Sequence, residues 1–177
     1  MTRRPTPRAS TALAMGAAAA TAVALCAAGA ALAVLPATGA SADIPNCTVE
    51  HLYVAKGRLE GAAGSRFLTV RVTNVGDTLC LVPTRTKVRF RDFDGPLGSP
   101  GASPVQSALL ALQPGDKVST VVHWSDPGPI PPDECAAADA TLVTLRLPAL
   151  GHTWRLPLKT NVCTTAQWAP DVKALKP

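Results

Sequence analysis

The chain has 177 residues, of which 47% are hydrophobic, 16% are charged and only 4% are aromatic. Residues 1–42 hold three of its 17 basic residues and none of its 12 acidic ones, which leaves 14 basic against 12 acidic residues in the rest. The basic isoelectric point is therefore largely a property of the N-terminal segment, and we expect no binding to nucleic acid. The remaining 135 residues suffice for one self-stabilising domain, so we expect a monomer and exclude a multidomain enzyme or a polytopic membrane protein.

The N-terminal segment has the three parts of a secretory signal peptide. Residues 1–10 are basic, residues 11–35 form a long apolar run, and Ala40 and Ala42 supply the small residues of an A-x-A cleavage site. We therefore expect cleavage after Ala42, a short linker over residues 43–46, and a secreted or envelope-associated chain without membrane insertion. The alternative is an uncleaved anchor, because an apolar run of this length can span a bilayer.

Four cysteines remain once Cys26 leaves with the leader: Cys47, Cys80, Cys135 and Cys163. An even number of cysteines in an exported domain is typical of disulfides, because the compartment outside the membrane is oxidising. None of the four belongs to a C-x-x-C pair or has a histidine at ligand spacing. We therefore expect no metal and no other cofactor.

Short β-branched runs between turn signals predict an all-β fold. Seven runs follow one another, at residues 49–56, 66–74, 85–92, 105–112, 116–124, 141–147 and 153–159. A Gly/Pro/Ser-rich loop is expected at residues 94–104, and a single helical turn at residues 135–139 is the one competing element. Seven antiparallel strands are the number in an immunoglobulin-like fold, so residues 47–175 are predicted to form an immunoglobulin-like antiparallel β-sandwich.

The order of these strands selects the disulfide pairing. If the first two runs pair antiparallel, the start of the first lies near the end of the second, and Cys47 and Cys80 lie at those ends. Cys135 precedes, and Cys163 follows, the hairpin of the last two runs. The predicted disulfides are therefore Cys47–Cys80 and Cys135–Cys163, and each should contribute about 3–4 kcal/mol.

Several short motifs occur in a fixed order along the predicted domain. They are Cys47, G-A-A-G-S-R at residues 61–66, N-V-G at 74–76, C-L at 80–81, L-Q-P-G at 112–115, Trp124 and Cys163. With the Ala-rich leader in front of them, the chain resembles the actinobacterial family of exported and lipoprotein domains of unknown function over residues 47–175. The resemblance implies an immunoglobulin-like sandwich and an address in the cell envelope. It implies no catalytic residue, because the family has no established activity.

Four cations alternate along one predicted strand: Arg85, Lys87, Arg89 and Arg91. On a strand they share one face at a spacing of about 6.5–7 Å, while Thr86, Val88 and Phe90 face the core. This stripe is a candidate site for an anionic wall polymer or a lipid headgroup. The alternative is an ordinary solvated strand face, whose like charges discourage pairing with another edge.

The remaining polar and aromatic residues favour no particular chemistry. His51, His123 and His152 lack the spacing of a metal site, and the sequence contains no G-x-S-x-G nucleophile motif. Three tryptophans, at positions 124, 154 and 168, are candidates for a glycan platform or for the core.

We therefore expect a non-enzymatic exported module of the cell envelope that acts as an interaction or structural domain. Its expected partner is an envelope protein or a cell-wall polymer. The alternative is an accessory domain that binds a carbohydrate or an anionic wall polymer.

Overall fold

The computed structural model describes residues 43–104 and 108–177, and the expected leader at residues 1–42 lies outside the described residues. Ten strands are present within the described part: β1 (Leu52–Ala62), β2 (Ser65–Asn74), β3 (Cys80–Pro83), β4 (Lys87–Arg91), β5 (Pro96–Ala102), β6 (Leu109–Leu112), β7 (Lys117–Ser125), β8 (Ala137–Leu147), β9 (His152–Cys163) and β10 (Asp171–Val172). One short helix, α1 (Pro132–Cys135), precedes β8, and single 3₁₀ turns lie at Val49–His51, Pro148–Leu150 and Ala166–Trp168.

The strands form three antiparallel sheets. One four-stranded sheet has the order β1-β2-β7-β10, a second has the order β5-β4-β8-β9, and β3 pairs with β6. Every named strand pair within the described residues is antiparallel. Side chains from all three sheets contribute to one buried cluster, which gives a sandwich-like arrangement. The predicted all-β antiparallel class is confirmed.

The alternation of side chains along the strands follows the sequence. Leu68, Val70 and Val72 of β2 are all at most 1% exposed, as their period of two predicts. On β4, Val88 and Phe90 are likewise buried. The neighbouring positions on both strands are less buried, so each strand has one core face and one outer face.

The region predicted as a Gly/Pro/Ser-rich loop contains a strand instead. β5 pairs with β4 at the edge of its sheet, where proline is tolerated because no further strand needs the N–H group that proline lacks. Gly101 is buried in β5, and a Cβ there would overlap the carbonyl oxygen of Pro170. Gly101 therefore allows β5 to lie close to the segment around Pro170. The glycine that contributed to the loop prediction is required by this packing contact.

The helical turn, the start of β8 and two short strands differ from the prediction. The helical turn expected at residues 135–139 lies earlier, in α1, and Ala136 ends it in the left-handed region with φ of 46°. β8 begins directly afterwards and is therefore longer than the predicted run. β3 and β10 are four and two residues long, and neither was among the predicted runs.

Both predicted disulfides are present. Cys47 and Cys80 have Cα atoms 4.8 Å apart, and Cys135 and Cys163 have Cα atoms 4.7 Å apart. The first bond lies beside a parallel bridge between Asn46 and Leu81, so part of the segment expected as a linker pairs with β3. The second lies at the end of the β8–β9 ladder, where Ala137 pairs with Cys163.

Candidate functional site

The alternating cations of β4 lie on the outer face of their sheet. Lys87 is exposed, whereas Arg89 and Arg91 are half-buried. Arg85 lies ahead of the strand, which begins at Lys87, and it does not line the cavity described below. Three of the four predicted cations therefore lie on β4 itself, and the exposed Arg85 lies two residues ahead of Lys87.

Two arginines from the neighbouring strands extend this stripe into a patch. Cross-strand pairing places Lys87 opposite Arg146 of β8, and it aligns Arg89 with Thr144 and then with Arg155 of β9. We call the five residues Lys87, Arg89, Arg91, Arg146 and Arg155 the cationic face. Arg146 and Arg155 were not singled out from the sequence, because the strand order is needed to place them on the same sheet face as the cations of β4.

A cavity of about 440 Å³ lies on the cationic face. Its lining includes Lys87, Arg89, Arg91 and Arg146, together with the hydroxyl-bearing Thr144 and Thr153. We call this cavity the cationic cleft. The positive charges and the Thr153 hydroxyl can donate hydrogen bonds to a phosphate or carboxylate oxygen, whereas the Thr144 hydroxyl already donates to a backbone carbonyl oxygen.

The charges of this face are not neutralised by nearby acids. Within the described ranges, the salt bridges are Arg58–Glu60, Arg66–Asp126 and Lys173–Asp171. None of them involves the cationic face. Since like charges directly opposite each other destabilise a sheet, the Lys87–Arg146 pair costs folding energy that a bound anion would offset.

The nearest acids in the sequence serve the turn after β4. The Oδ1 atom of Asp92 accepts hydrogen bonds from the N–H groups of Asp94 and Gly95, at 2.9 and 2.7 Å. This carboxylate therefore closes the β4–β5 turn.

Arg89 is the most constrained member of the cationic face. Its Nη2 atom donates to the carbonyl oxygen of Gly98 at 3.1 Å, and its own carbonyl oxygen accepts from Thr144 Oγ1 at 3.0 Å. Its Nε atom is buried and has no hydrogen-bond acceptor in the described part of the chain. The guanidinium is thus held in place with donor capacity that the protein does not use.

The three tryptophans do not form a common platform. Trp124 is 3% exposed, packs edge-on against Phe90 at a centroid distance of 4.9 Å, and donates from Nε1 to the carbonyl oxygen of Asn161. Trp154 packs against His152, and Trp168 donates to the carbonyl oxygen of Glu134. Trp124 is therefore a core residue, and no aromatic pair within residues 43–104 and 108–177 joins two tryptophans.

Two of the three histidines pack against aromatic rings. His123 stacks on Phe67 at a centroid distance of 4.7 Å, and His152 contacts Trp154. Among the residues that the structure describes, no group of three or more His, Cys, Asp or Glu side chains could hold a metal ion.

These features define a small all-β domain with two disulfides and a cationic cleft on the outer face of one sheet. The family model described as Domain of unknown function (DUF4232) matches residues 47–175, and the chain belongs to this family. No curated protein and no solved structure matches the chain. No helix within the described ranges has both the length and the apolar character needed to cross a membrane.

Proposed function

We propose that this protein is a non-enzymatic, exported binding module of an actinobacterial cell envelope, and that its cationic cleft holds an anionic envelope polymer. One observation carries the proposal: five cations share one outer sheet face, and none of them forms a salt bridge with an acid in the described residues. A polymer with repeating phosphate or carboxylate groups supplies the missing negative charge.

The geometry of a sheet suits a linear polyanion. Successive outward residues on one strand are about 6.5–7 Å apart, and neighbouring strands are about 4.8 Å apart. The backbone hydrogen bonds of β4, β8 and β9 therefore fix the grid of positions from which the cations project. A repeating ligand can engage several cations at once without ordering a flexible loop.

The proposed location rests on the leader and the disulfides. A signal peptide cleaved after Ala42 would deliver the domain to an oxidising compartment, where the Cys47–Cys80 and Cys135–Cys163 bonds persist. Binding through the tryptophans, as in a platform for a neutral carbohydrate, is less favoured because they contact different parts of the structure.

The test is binding of the purified protein to insoluble actinobacterial cell walls, before and after chemical removal of their phosphate-containing polymers. We expect retention at low salt, and release at about 0.5 M NaCl because salt screens exposed charges. In the double variant Lys87→Glu/Arg146→Glu, retention should fall about tenfold or more, since it reverses two charges that face the ligand.

The matched control is Arg71→Glu/Lys117→Glu. Both residues are exposed on the other four-stranded sheet, and the pair changes the net charge by the same amount. This control should bind as the unmodified protein does. Equal loss in both double variants, or retention that persists at high salt, would contradict the assignment to the cationic cleft.

A further inference from the structure

A second concave region lies where β1 and β9, the edge strands of the two larger sheets, approach each other. Two cavities of about 510 and 480 Å³ adjoin there and share Thr141, Pro157 and Lys159 in their linings. The first extends to Leu59 and Leu68, and the second extends to Phe93, Leu142 and Arg155. We call the two together the edge groove.

Irregular pairing accounts for this opening between the sheets. The β1–β2 register shifts between Lys56 and Leu59, and the β8–β9 register shifts between Ala140 and Leu142. Such shifts bend a strand and interrupt its regular alternation. Because they occur on both edge strands, the groove is a feature of the backbone rather than of loose side chains.

The floor and rim of the edge groove are apolar. Leu68 and Leu158 lie beneath it and are 0% and 4% exposed, whereas Leu59 is 39% exposed. At the other end, Phe93 follows β4 and is 93% exposed, which is unusual for an aromatic side chain. Apolar surface that the fold leaves in water beside a groove indicates a binding site for an apolar group.

Every ionisable residue that lines the edge groove is a cation. They are Lys56, Arg155 and Lys159, and no acid lines either cavity. Arg155 also belongs to the cationic face, so the apolar groove continues into positively charged surface. We propose that the edge groove binds a single-chain anionic amphiphile, with the alkyl chain against Leu59, Leu142 and Phe93 and the anionic head at Arg155 and Lys159.

Two observations favour this occupant over a peptide strand or a membrane surface. Pro157 lies in the middle of β9 and has no N–H group, and the register shifts disturb the spacing that an added strand would need. Phe93 lies between Asp92 and Asp94, which would be repelled by an anionic bilayer. A single amphiphile molecule needs no strand pairing with β9, and it does not bring an extended anionic surface against Asp92 and Asp94.

The test is calorimetric titration with alkyl phosphates of 8, 10 and 12 carbons, each below its micelle concentration, with an alkyl maltoside as the uncharged probe. We expect affinity to rise about tenfold for every two methylene groups that become buried. Phe93→Ala should weaken binding about fivefold, and Lys159→Glu should do so for the phosphates but not for the maltoside. Both positions are exposed, so folding should be retained.

The controls lie elsewhere on the surface. Tyr53→Ala removes another exposed aromatic ring, and Lys117→Glu reverses another exposed charge. Neither should change alkyl phosphate binding. Affinity that does not depend on chain length, or an equal effect of Phe93→Ala and Tyr53→Ala, would overturn the proposal. Binding of an acidic peptide without any binding of alkyl phosphates would overturn it in favour of a protein partner.

The edge groove and the cationic cleft can be tested separately. Lys87 and Arg146 do not line the groove, so the Lys87→Glu/Arg146→Glu variant should bind dodecyl phosphate with unchanged affinity. Absence of wall binding by the unmodified protein would leave the groove assignment intact, and absence of alkyl phosphate binding by the unmodified protein would leave the polymer assignment intact.

Discussion

Asp126 begins the proline-rich loop after β7 and is held by two partners. Its Oδ2 atom accepts from the Arg66 guanidinium, at 2.8 Å from Nε and 2.7 Å from Nη2, and its Oδ1 atom accepts from the N–H of Gly128 at 3.3 Å. The hydrogen bond from Gly128 and that from Arg66 both stabilise the carboxylate, and they hold the pKa of Asp126 below its ordinary value.

This lowered pKa predicts an acid dependence of stability. A carboxyl group whose pKa is lower in the folded state contributes stability above its unfolded pKa, about 3.9, and loses it as the pH falls through the folded pKa. The free energy of unfolding should therefore fall less between pH 5 and pH 2 in Asp126→Asn than in the unmodified protein. Urea unfolding at several pH values measures this difference.

Asp133→Asn is the matched control for that series. Asp133 is exposed and makes no side-chain hydrogen bond or salt bridge within the described part of the chain. Its replacement should leave the acid dependence close to that of the unmodified protein. If Asp126→Asn and Asp133→Asn gave the same pH profile, the Arg66 and Gly128 contacts would have no role in acid stability.

At the scale of single side chains, the sequence predicted which face of β4 each side chain lies on, but not which atoms it contacts. The period of two placed Thr86, Val88 and Phe90 inward and Lys87 outward, because that alternation is a property of any extended strand. It gave no means to see that Arg85 precedes the strand, nor that Gly98 supplies the acceptor for Arg89. Those contacts depend on where other segments lie.

At the scale of secondary-structure elements, the two disulfides hold different parts of the fold. Cys47–Cys80 ties the segment before β1 to the start of β3 across 33 positions. Cys135–Cys163 ties the end of α1 to the end of β9 across 28 positions, next to the hydrogen bond from Thr164 N to the carbonyl oxygen of Cys135. Their similar loop lengths imply similar losses of entropy in the unfolded chain.

We therefore expect Cys47→Ser/Cys80→Ser and Cys135→Ser/Cys163→Ser to lower the free energy of unfolding by about 3–4 kcal/mol each. Chemical denaturation of both double variants measures the loss, and denaturation of the reduced native protein is the control. Unchanged stability in either double variant would show that its disulfide adds nothing beyond the surrounding contacts.

Strands with several alternating apolar residues were predictable, and a strand that a tertiary contact positions was not. β2, β7 and the second half of β8 each show several alternating apolar residues, so the period of two is visible in the sequence. β5 instead owes its position to a tertiary contact, since Gly101 packs against Pro170 near the C-terminus. Arg146 and Arg155 joined the candidate site for a similar reason, because the order β5-β4-β8-β9 is needed to place them on the same sheet face as the cations of β4.

At the scale of the whole molecule, the proposed export makes a prediction about its covalent state. Protein recovered from the medium after expression of the full chain should begin at Asp43 and contain no titratable thiol. Cys26 would have left with the leader, and the other four cysteines are paired. Intact-mass measurement and thiol titration under denaturing conditions test both points.

The comparison is the same chain without residues 2–42, made in a reducing cytoplasm. It should carry up to four titratable thiols and should be less stable than the exported form. Exported protein that retains the leader would indicate an uncleaved anchor instead, and four titratable thiols in that protein would contradict the proposed compartment.

The Cys47–Cys80 bond also governs how the molecule transmits tension. A pull on the residues ahead of Cys47 passes through the two sulfur atoms to β3, so the segment that contains β1 and β2 carries no load. That segment spans 33 positions and would reach about 110 Å if fully stretched. With the bond intact, the loop that it closes cannot be pulled out to this length. If the protein is attached through the residues ahead of Cys47, the connection between the attachment point and the domain therefore stays short under tension.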